Sequence, residues 1–204
     1  MRELVARIVG AWVWLRSRVS ASLWLRGCDS VGSNTRTFWR PHIRNRGRIT
    51  IGSGVRLNSH WAPIELATGP RGTIEIADGV YINYGTLISA ESRVRIGSDV
   101  MIGNYGIIAD TSVPGTGEAD GVPPLDARDV EIGDGAWLAA RVTVLPGARI
   151  GAGAVIAAGS VVAGDIPAKA VAGGIPARVL RAPAAAPADV SPVVHAAATR
   201  SVPR

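Results

Sequence analysis

The sequence predicts an all-β solenoid, a coil of very short parallel strands with three sides. Two observations carry this. Glycine is abundant, at 25 residues, while aromatic residues make up only 5%, a balance that favours tight turns around small and aliphatic side chains over packed helices. Aliphatic residues also recur every six positions, at Ile132, Leu138, Val144, Ile150, Ile156 and Val162. A helix returns its apolar face every three or four residues and a plain strand every two, so a period of six needs a bend in each repeat.

Small residues follow the same rhythm, at Ala136, Val142, Ala148, Ala154 and Ser160. Short edges, each turning one aliphatic and one small side chain inward and joined by bends that glycine permits, reproduce this pattern. Three such edges, eighteen residues in all, close one turn. The phase extends backward through Ile108, Ile102 and Ile96, then Ile88, Ile82 and Ile76, then Leu57 and Ile51. Coil starts at 51, 76, 96, 132 and 150 are separated by 25, 20, 36 and 18 residues. The gap of 25 predicts an insertion near APIELATGPRG, and the gap of 36 equals two coils. Its second half, from about 111 to 130, has no aliphatic register and reads as a loop that leaves the wall; long loops on repeat scaffolds commonly carry function.

Three regions follow: a helical segment at 1–26, the solenoid at 27–181 with its inserted loop at 111–130, and a tail at 182–204 rich in Ala and Pro, read as disordered. Residues 1–26 carry an apolar stripe of Leu4, Val5, Ile8, Val9, Trp12, Leu15, Val19 and Leu23 beside Arg2, Arg7, Arg16 and Arg18. The arginines break it too often for a membrane-spanning helix, and no clean cleavage region marks a signal peptide. Two placements fit: a cap over the open end of the solenoid, or an anchor at a membrane surface, with Trp12, Trp14 and Trp24 among the arginines.

The formal charge of +6 is local, because residues 1–50 hold ten Arg against Glu3 and Asp29, which leaves −2 for the remainder. No reading helix or aromatic platform for nucleic acid accompanies it in the sequence, so an anionic lipid surface or a ligand's phosphates are the expected partners. The single Cys28 excludes an intrachain disulfide and suits a reducing cytosol as a packed, inert thiol.

Residues 130–181, VEIGDGAWLAARVTVLPGARIGAGAVIAAGSVVAGDIPAKAVAGGIPARVLR, together with IEIADGVYINYGTLIS upstream, resemble the hexapeptide-repeat acyltransferases, in the sugar and maltose O-acetyltransferase-like branch. The resemblance covers roughly residues 40–181. It implies a left-handed parallel β-helix, a homotrimer, and a site between neighbouring subunits where acetyl-CoA or another acyl-CoA is the co-substrate and no metal is required. It implies a cytoplasmic enzyme, peripheral at the inner membrane face if residues 1–26 are an anchor. The acceptor would be a hydroxyl or amine of a sugar, a glycan precursor or another small metabolite. Handedness is taken from the resemblance alone, since crossover connections generally run the other way.

Acyl transfer needs a base to take the acceptor's proton and donors to hold the developing oxyanion. By resemblance the base would be a His in a segment like Asp-x-Asp-x-His; here the segment reads Asp110, Thr111, Ser112, Val113, Pro114. Proline cannot titrate, so the expected His is missing. Asn83 stands where relatives keep an Asn that orients the His. His60 in LNSHWAP and Asp110, or the loop acids Glu118 and Asp120, are the candidate substitutes. An amine acceptor would need less help than a hydroxyl.

For the donor, the resemblance places Trp137, Ala140 and Ala158 along the pantetheine channel and Arg178 and Arg181 at the phosphates, where a planar, permanently charged group suits the ligand. Ala163 and Gly164 stand where many relatives have Thr and Lys. A second function class stays open: a catalytically impaired relative, serving as a binding or scaffold subunit. A solenoid carbonic anhydrase would need three clustered His, and the chain has only His42, His60 and His195, the last in the tail. Nucleotidyl transfer would need a domain for which no residues remain.

Overall fold

The computed structural model describes residues 21–112 and 127–182. The helix expected at 1–26 and the tail at 182–204 therefore lie almost wholly outside the described residues, as does most of the loop at 111–130. A single helical turn at 21–24 precedes the coil. Among the described residues no helix is long and apolar enough to cross a membrane.

Among the described residues twenty strands, β1 to β20 in chain order, form three walls. The first wall stacks β1 (Ser30–Val31), β4 (Arg48–Ile51), β7 (Thr73–Ile76), β10 (Arg93–Ile96), β13 (Val130–Ile132) and β16 (Arg149–Ile150). The second stacks β2 (Arg36–Phe38), β5 (Arg56–Asn58), β8 (Tyr81–Ile82), β11 (Met101–Ile102), β14 (Trp137–Leu138), β17 (Val155–Ile156), β19 (Val171–Gly174) and β20 (Ala177–Arg181). The third stacks β3 (His42–Asn45), β6 (Glu65–Thr68), β9 (Leu87–Ala90), β12 (Ile107–Ala109), β15 (Thr143–Val144) and β18 (Val161–Val162). Among the described residues every pairing between coils is parallel, and only the closing pair β19–β20 is antiparallel. Each coil visits the three walls in turn, as the six-residue rhythm predicts.

The core is a set of vertical stacks. Ile51, Ile76, Ile96, Ile132 and Ile150 are register partners up the first wall. Leu57, Ile82, Ile102, Leu138 and Ile156 repeat this on the second, and Leu66, Ile88, Ile108, Val144 and Val162 on the third. All fifteen side chains are buried. Strand alternation sends their neighbours outward, so the outer surface is also ordered in rows.

The pairing resolves both irregular spacings. The gap of 36 holds one coil and a loop, as the missing aliphatic register in its second half predicts: β10 pairs directly with β13, so Ile96 lies under Ile132 and the surplus sits between β12 and β13. The insertion expected near APIELATGPRG is only partly outside the wall, because Glu65–Thr68 is β6 in register with β3 and β9. The surplus there is confined to the corners on either side of β6.

At the corner between the second and third walls, the third position of the tight turn lies in the left-handed region. Gly85 and Gly159 occupy it in two coils, with φ of 69° and 71°. Tyr105 and Arg141 occupy it in two others, with φ of 57° and 59°. Trp39 at the same corner has φ 73°. A side chain there costs roughly 1–2 kcal/mol relative to glycine.

Because each aliphatic is a register partner of those above and below, removing one opens a void shared by three coils. Ile96→Ala is expected to lower unfolding stability by about 2–5 kcal/mol, read from the urea midpoint with an unchanged slope.

Candidate active site

The site begins with the outward row of the second wall. Leu57 and Ile82 point in, so Asn58 and Tyr81 beside them point out. Stacking then brings Asn58 against the next coil. Its Nδ2 donates to Asn83 Oδ1 at 3.0 Å and to the Tyr81 hydroxyl at 3.3 Å. Asn83 Oδ1 also accepts from the Tyr84 backbone N–H at 3.0 Å. With that oxygen committed, the amide N–H₂ of Asn83 is the group it can offer a ligand.

His60 lies at the corner that follows β5. Its backbone N–H donates to Asn58 Oδ1 at 3.3 Å, and its imidazole packs between Trp39, centroids 5.3 Å apart, and Trp61, at 6.1 Å. Phe38, Asn58, His60, Trp61, Tyr81 and Tyr84 line a cavity of about 450 Å3. The His60 imidazole is the type of side chain that most often serves as a general base. The structure thus gathers two predicted residues, His60 and Asn83, around one polar network.

Asp110 does not join them. It ends the third wall, at the corner leading to the first, on a different edge of the prism. It is fully buried, and its carboxylate accepts from the backbone N–H groups of Glu91, at 2.9 and 3.1 Å, and Ser92, at 2.7 Å. Burial pushes its carboxyl pKa up, opposed by those N–H donors. Thr68 has the same duty two coils earlier, its hydroxyl accepting from Arg46 and Gly47 at 3.1 and 3.0 Å. Asp110 in this position closes the corner of the coil before it. Glu118 and Asp120 lie outside the described residues.

The donor candidates fall into two groups. Trp137, 48% exposed, projects from the second wall; Ala140 and Ala158 stack at its corner, where the Gly159 N–H donates to the Ala140 carbonyl at 2.9 Å. Arg178 and Arg181 are exposed on β20 at the end of that wall, and Arg178 donates to the Ala177 carbonyl at 3.1 Å. These small surfaces and free cations fit a long phosphorylated thiol lying along the wall. Ala163 lies on the far side, where the third wall turns toward the first, beside the corner of Asp110. Cys28, its thiol pushed up to about 12 by burial and then by Asp29, is inert at neutral pH.

The sequence reading missed Asn58, Tyr81, Trp61 and Tyr84. A signal was present: all seven aromatic residues in 27–181, Phe38, Trp39, Trp61, Tyr81, Tyr84, Tyr105 and Trp137, lie on the outer second wall or its corner with the third.

Three walls of short parallel strands on a six-residue rhythm define a hexapeptide solenoid, here with a cavity and a small-residue surface on its second wall. Residues 129–164 match the family described as bacterial transferase hexapeptide (six repeats). A putative lipopolysaccharide biosynthesis O-acetyl transferase, WbbJ of Escherichia coli, is 35% identical over 168 residues, 72% of this chain and 82% of that protein. The galactoside O-acetyltransferase of Escherichia coli is 34% identical over 108 residues, 53% of each chain. The chain spans about half of that second relative. Among solved structures, a variant of AntD, an N-acyltransferase from Bacillus cereus in complex with dTDP-4-amino-4,6-dideoxyglucose and coenzyme A, superposes with a TM-score of 0.67 over 80% of this chain and 89% of that one, at 20% identity. The chain belongs to the hexapeptide-repeat acyltransferases, acyl-CoA-dependent enzymes on a left-handed parallel β-helix.

If Asp110 closes its corner, Asp110→Ala is expected to cost about 1–3 kcal/mol for each N–H left unpaired, measured by urea unfolding, with acyl transfer per folded molecule unchanged. Lost transfer at unchanged stability would instead make it a proton acceptor.

Proposed function

We propose that this enzyme moves an acetyl or similar acyl group from acyl-CoA to a hydroxyl of a sugar or glycan precursor, with His60 as the proton acceptor. The single observation that carries this is the cavity holding His60 beside the Asn58–Asn83–Tyr81 network. A sugar presents apolar ring faces and hydroxyls together, and this cavity answers with aromatic faces and amide groups. The O-acetyltransferase names of WbbJ and the galactoside enzyme, and the sugar nucleotide bound to AntD, support the same class of acceptor.

In this reading the imidazole of His60 takes the acceptor's hydroxyl proton as its oxygen attacks the thioester carbonyl. The C–O bond forms, the C–S bond breaks, and the proton passes to the departing CoA sulfur. The N–H₂ of Asn83 is a donor for the oxygen that gains charge. Acyl-CoA itself would lie along Trp137, Ala140 and Ala158 toward Arg178 and Arg181.

A homotrimer supports the site. Trp137 and His60 lie on or beside the second wall, whereas Ala163 and Asp110 lie at the opposite corner, so one chain does not unite them. Met101 and Trp137 on the second wall and Ile107 on the third stand 44–48% exposed, while the first wall alternates Glu75, Arg95, Glu131 and Arg149. A closed threefold arrangement about the third wall would bring the Asp110 corner of one copy beside the second wall of the next and leave that second wall open to ligand. We place the enzyme in the cytoplasm, where acyl-CoA is supplied, with the basic, tryptophan-bearing residues 1–26 at the inner membrane face.

His60→Gln is expected to lower kcat by about 10²–10⁴-fold with CoA affinity unchanged, and Arg178→Ala or Arg181→Ala to weaken CoA binding, by initial-rate kinetics and calorimetry. An unaltered kcat in His60→Gln would move proton transfer elsewhere. Unaltered affinity in both arginine variants would remove β20 from the donor site.

A further inference from the structure

The cavity at His60 is the middle of a longer feature. Five rings run in sequence along the corner between the second and third walls, through the first four coils: Trp39, His60, Trp61, Tyr84 and Tyr105. Successive centroids are 5.3, 6.1, 5.6 and 5.5 Å apart. The interplanar angles are 78°, 46°, 41° and 89°. None of the pairs is a flat stack; an edge-to-face pair covers one face of one ring only, so ring faces remain along the row. Trp61 is 75% exposed, Trp39 54% and Tyr105 45%.

The two end rings are not explained by the fold. Trp39 and Tyr105 both occupy left-handed backbone, φ 73° and 57°, at a corner where other coils have Gly85 and Gly159. Glycine there removes a steric cost, and although the Tyr105 ring covers Gly85, 54% of Trp39 and 45% of Tyr105 remain open to solvent, surface that packing of the solenoid does not use. Neither lines the cavity, which takes in His60, Trp61 and Tyr84 from the middle of the row. A ligand that used the whole row would fill the cavity and project past it at both ends.

The polar groups beside the rings are the carboxamides of Asn58 and Asn83 and the hydroxyl of Tyr81. A polyanion would call for a run of cations along the row; exposed Arg40 and Arg141 stand only at its two ends, beside Trp39 and one coil beyond Tyr105, and Arg56 lies over the Tyr81 ring at 5.3 Å. Exposed ring faces spaced by about one sugar repeat, next to neutral amides, are the chemistry of an extended carbohydrate. We propose that this corner is a multi-residue glycan subsite: the sugar that receives the acyl group sits at His60, and flanking sugars of the same chain stack on Trp39 and Tyr105. The inference rests on the cavity's being the acceptor site, and it names the acceptor as an oligomer or polymer in place of a free metabolite.

The test uses the full chain and an array of linear neutral gluco-, chito-, manno- and galacto-oligosaccharides of one to six residues, with binding read separately from acyl transfer. At least one series is expected to bind about tenfold more tightly at four residues than at one. Trp39→Gly and Tyr105→Gly should each abolish most of that gain. Their urea midpoints should be unchanged or raised, and their oligomeric state unchanged, since glycine suits both backbones. Three results would overturn the proposal: no binding to any series, affinity independent of length, or glycine variants that bind tetramers as the parent does. Variants that dissociate the assembly would likewise overturn it, making the rings a subunit contact. Length-dependent binding without acyl transfer to any acceptor would refute the catalytic reading of His60 and leave the glycan subsite standing.

Discussion

In-register stacking of aliphatic side chains from coil to coil is the constraint on which the molecule depends. A tube this narrow takes an aliphatic and one further inward side chain per wall per coil, the second small in the buried series Ala136, Val142, Ala148 and Ala154 and larger at Ile49 and Ile74. Once Ile51, Ile76, Ile96, Ile132 and Ile150 are locked above one another, a slip by one residue would turn the whole inward set to solvent. The register therefore holds across surplus residues in two coils. Extra chain is pushed out at corners, where backbone groups can reach water or a capping side chain such as Thr68 or Asp110.

The outer surface inherits this order, which is how a repetitive fold builds a specific site. Residues far apart in sequence become neighbours because they share a phase: Asn58 and Asn83, twenty-five positions apart, meet at 3.0 Å. The first wall uses its outward positions for charge, with Arg93 bonded to Glu75 at 2.8 Å. The second uses them for aromatic and amide groups. Side chains projecting from such a lattice are held by the backbone ladder, so a ligand meets a surface whose ordering has been accomplished by folding.

The walls were legible in the sequence because a period of six fits no regular helix or strand, and the phases at Ile51, Ile76 and Ile96 identify the first wall before any pairing is known. The candidate site was legible only in part. His60 and Asn83 stand out as residue types, but Asn58 and Tyr81 acquire meaning only from the coil above or below. The gap of 36 was legible as one coil plus a loop because its second half lacks the aliphatic register, although its length is a multiple of eighteen, and the pairing of Ile96 with Ile132 agrees. Asp110 reads as a catalytic acid beside a loop, yet its burial and its bonds to Glu91 and Ser92 are contacts between coils that no local pattern displays.

The loss of a loop histidine and the presence of one at a wall corner have different physical consequences. A base on a long loop is brought to the reaction by ordering of that loop, whereas His60 is fixed by its backbone bond to Asn58 and by the rings of Trp39 and Trp61. Rings that position the imidazole also make its surroundings apolar on two sides and polar on the third. A long acceptor held along the same corner would therefore bring one hydroxyl to the imidazole by virtue of where its neighbouring sugars stack. Binding of the remote residues would then supply the orientation that a closing loop supplies elsewhere, and recognition and proton transfer would share one row of rings.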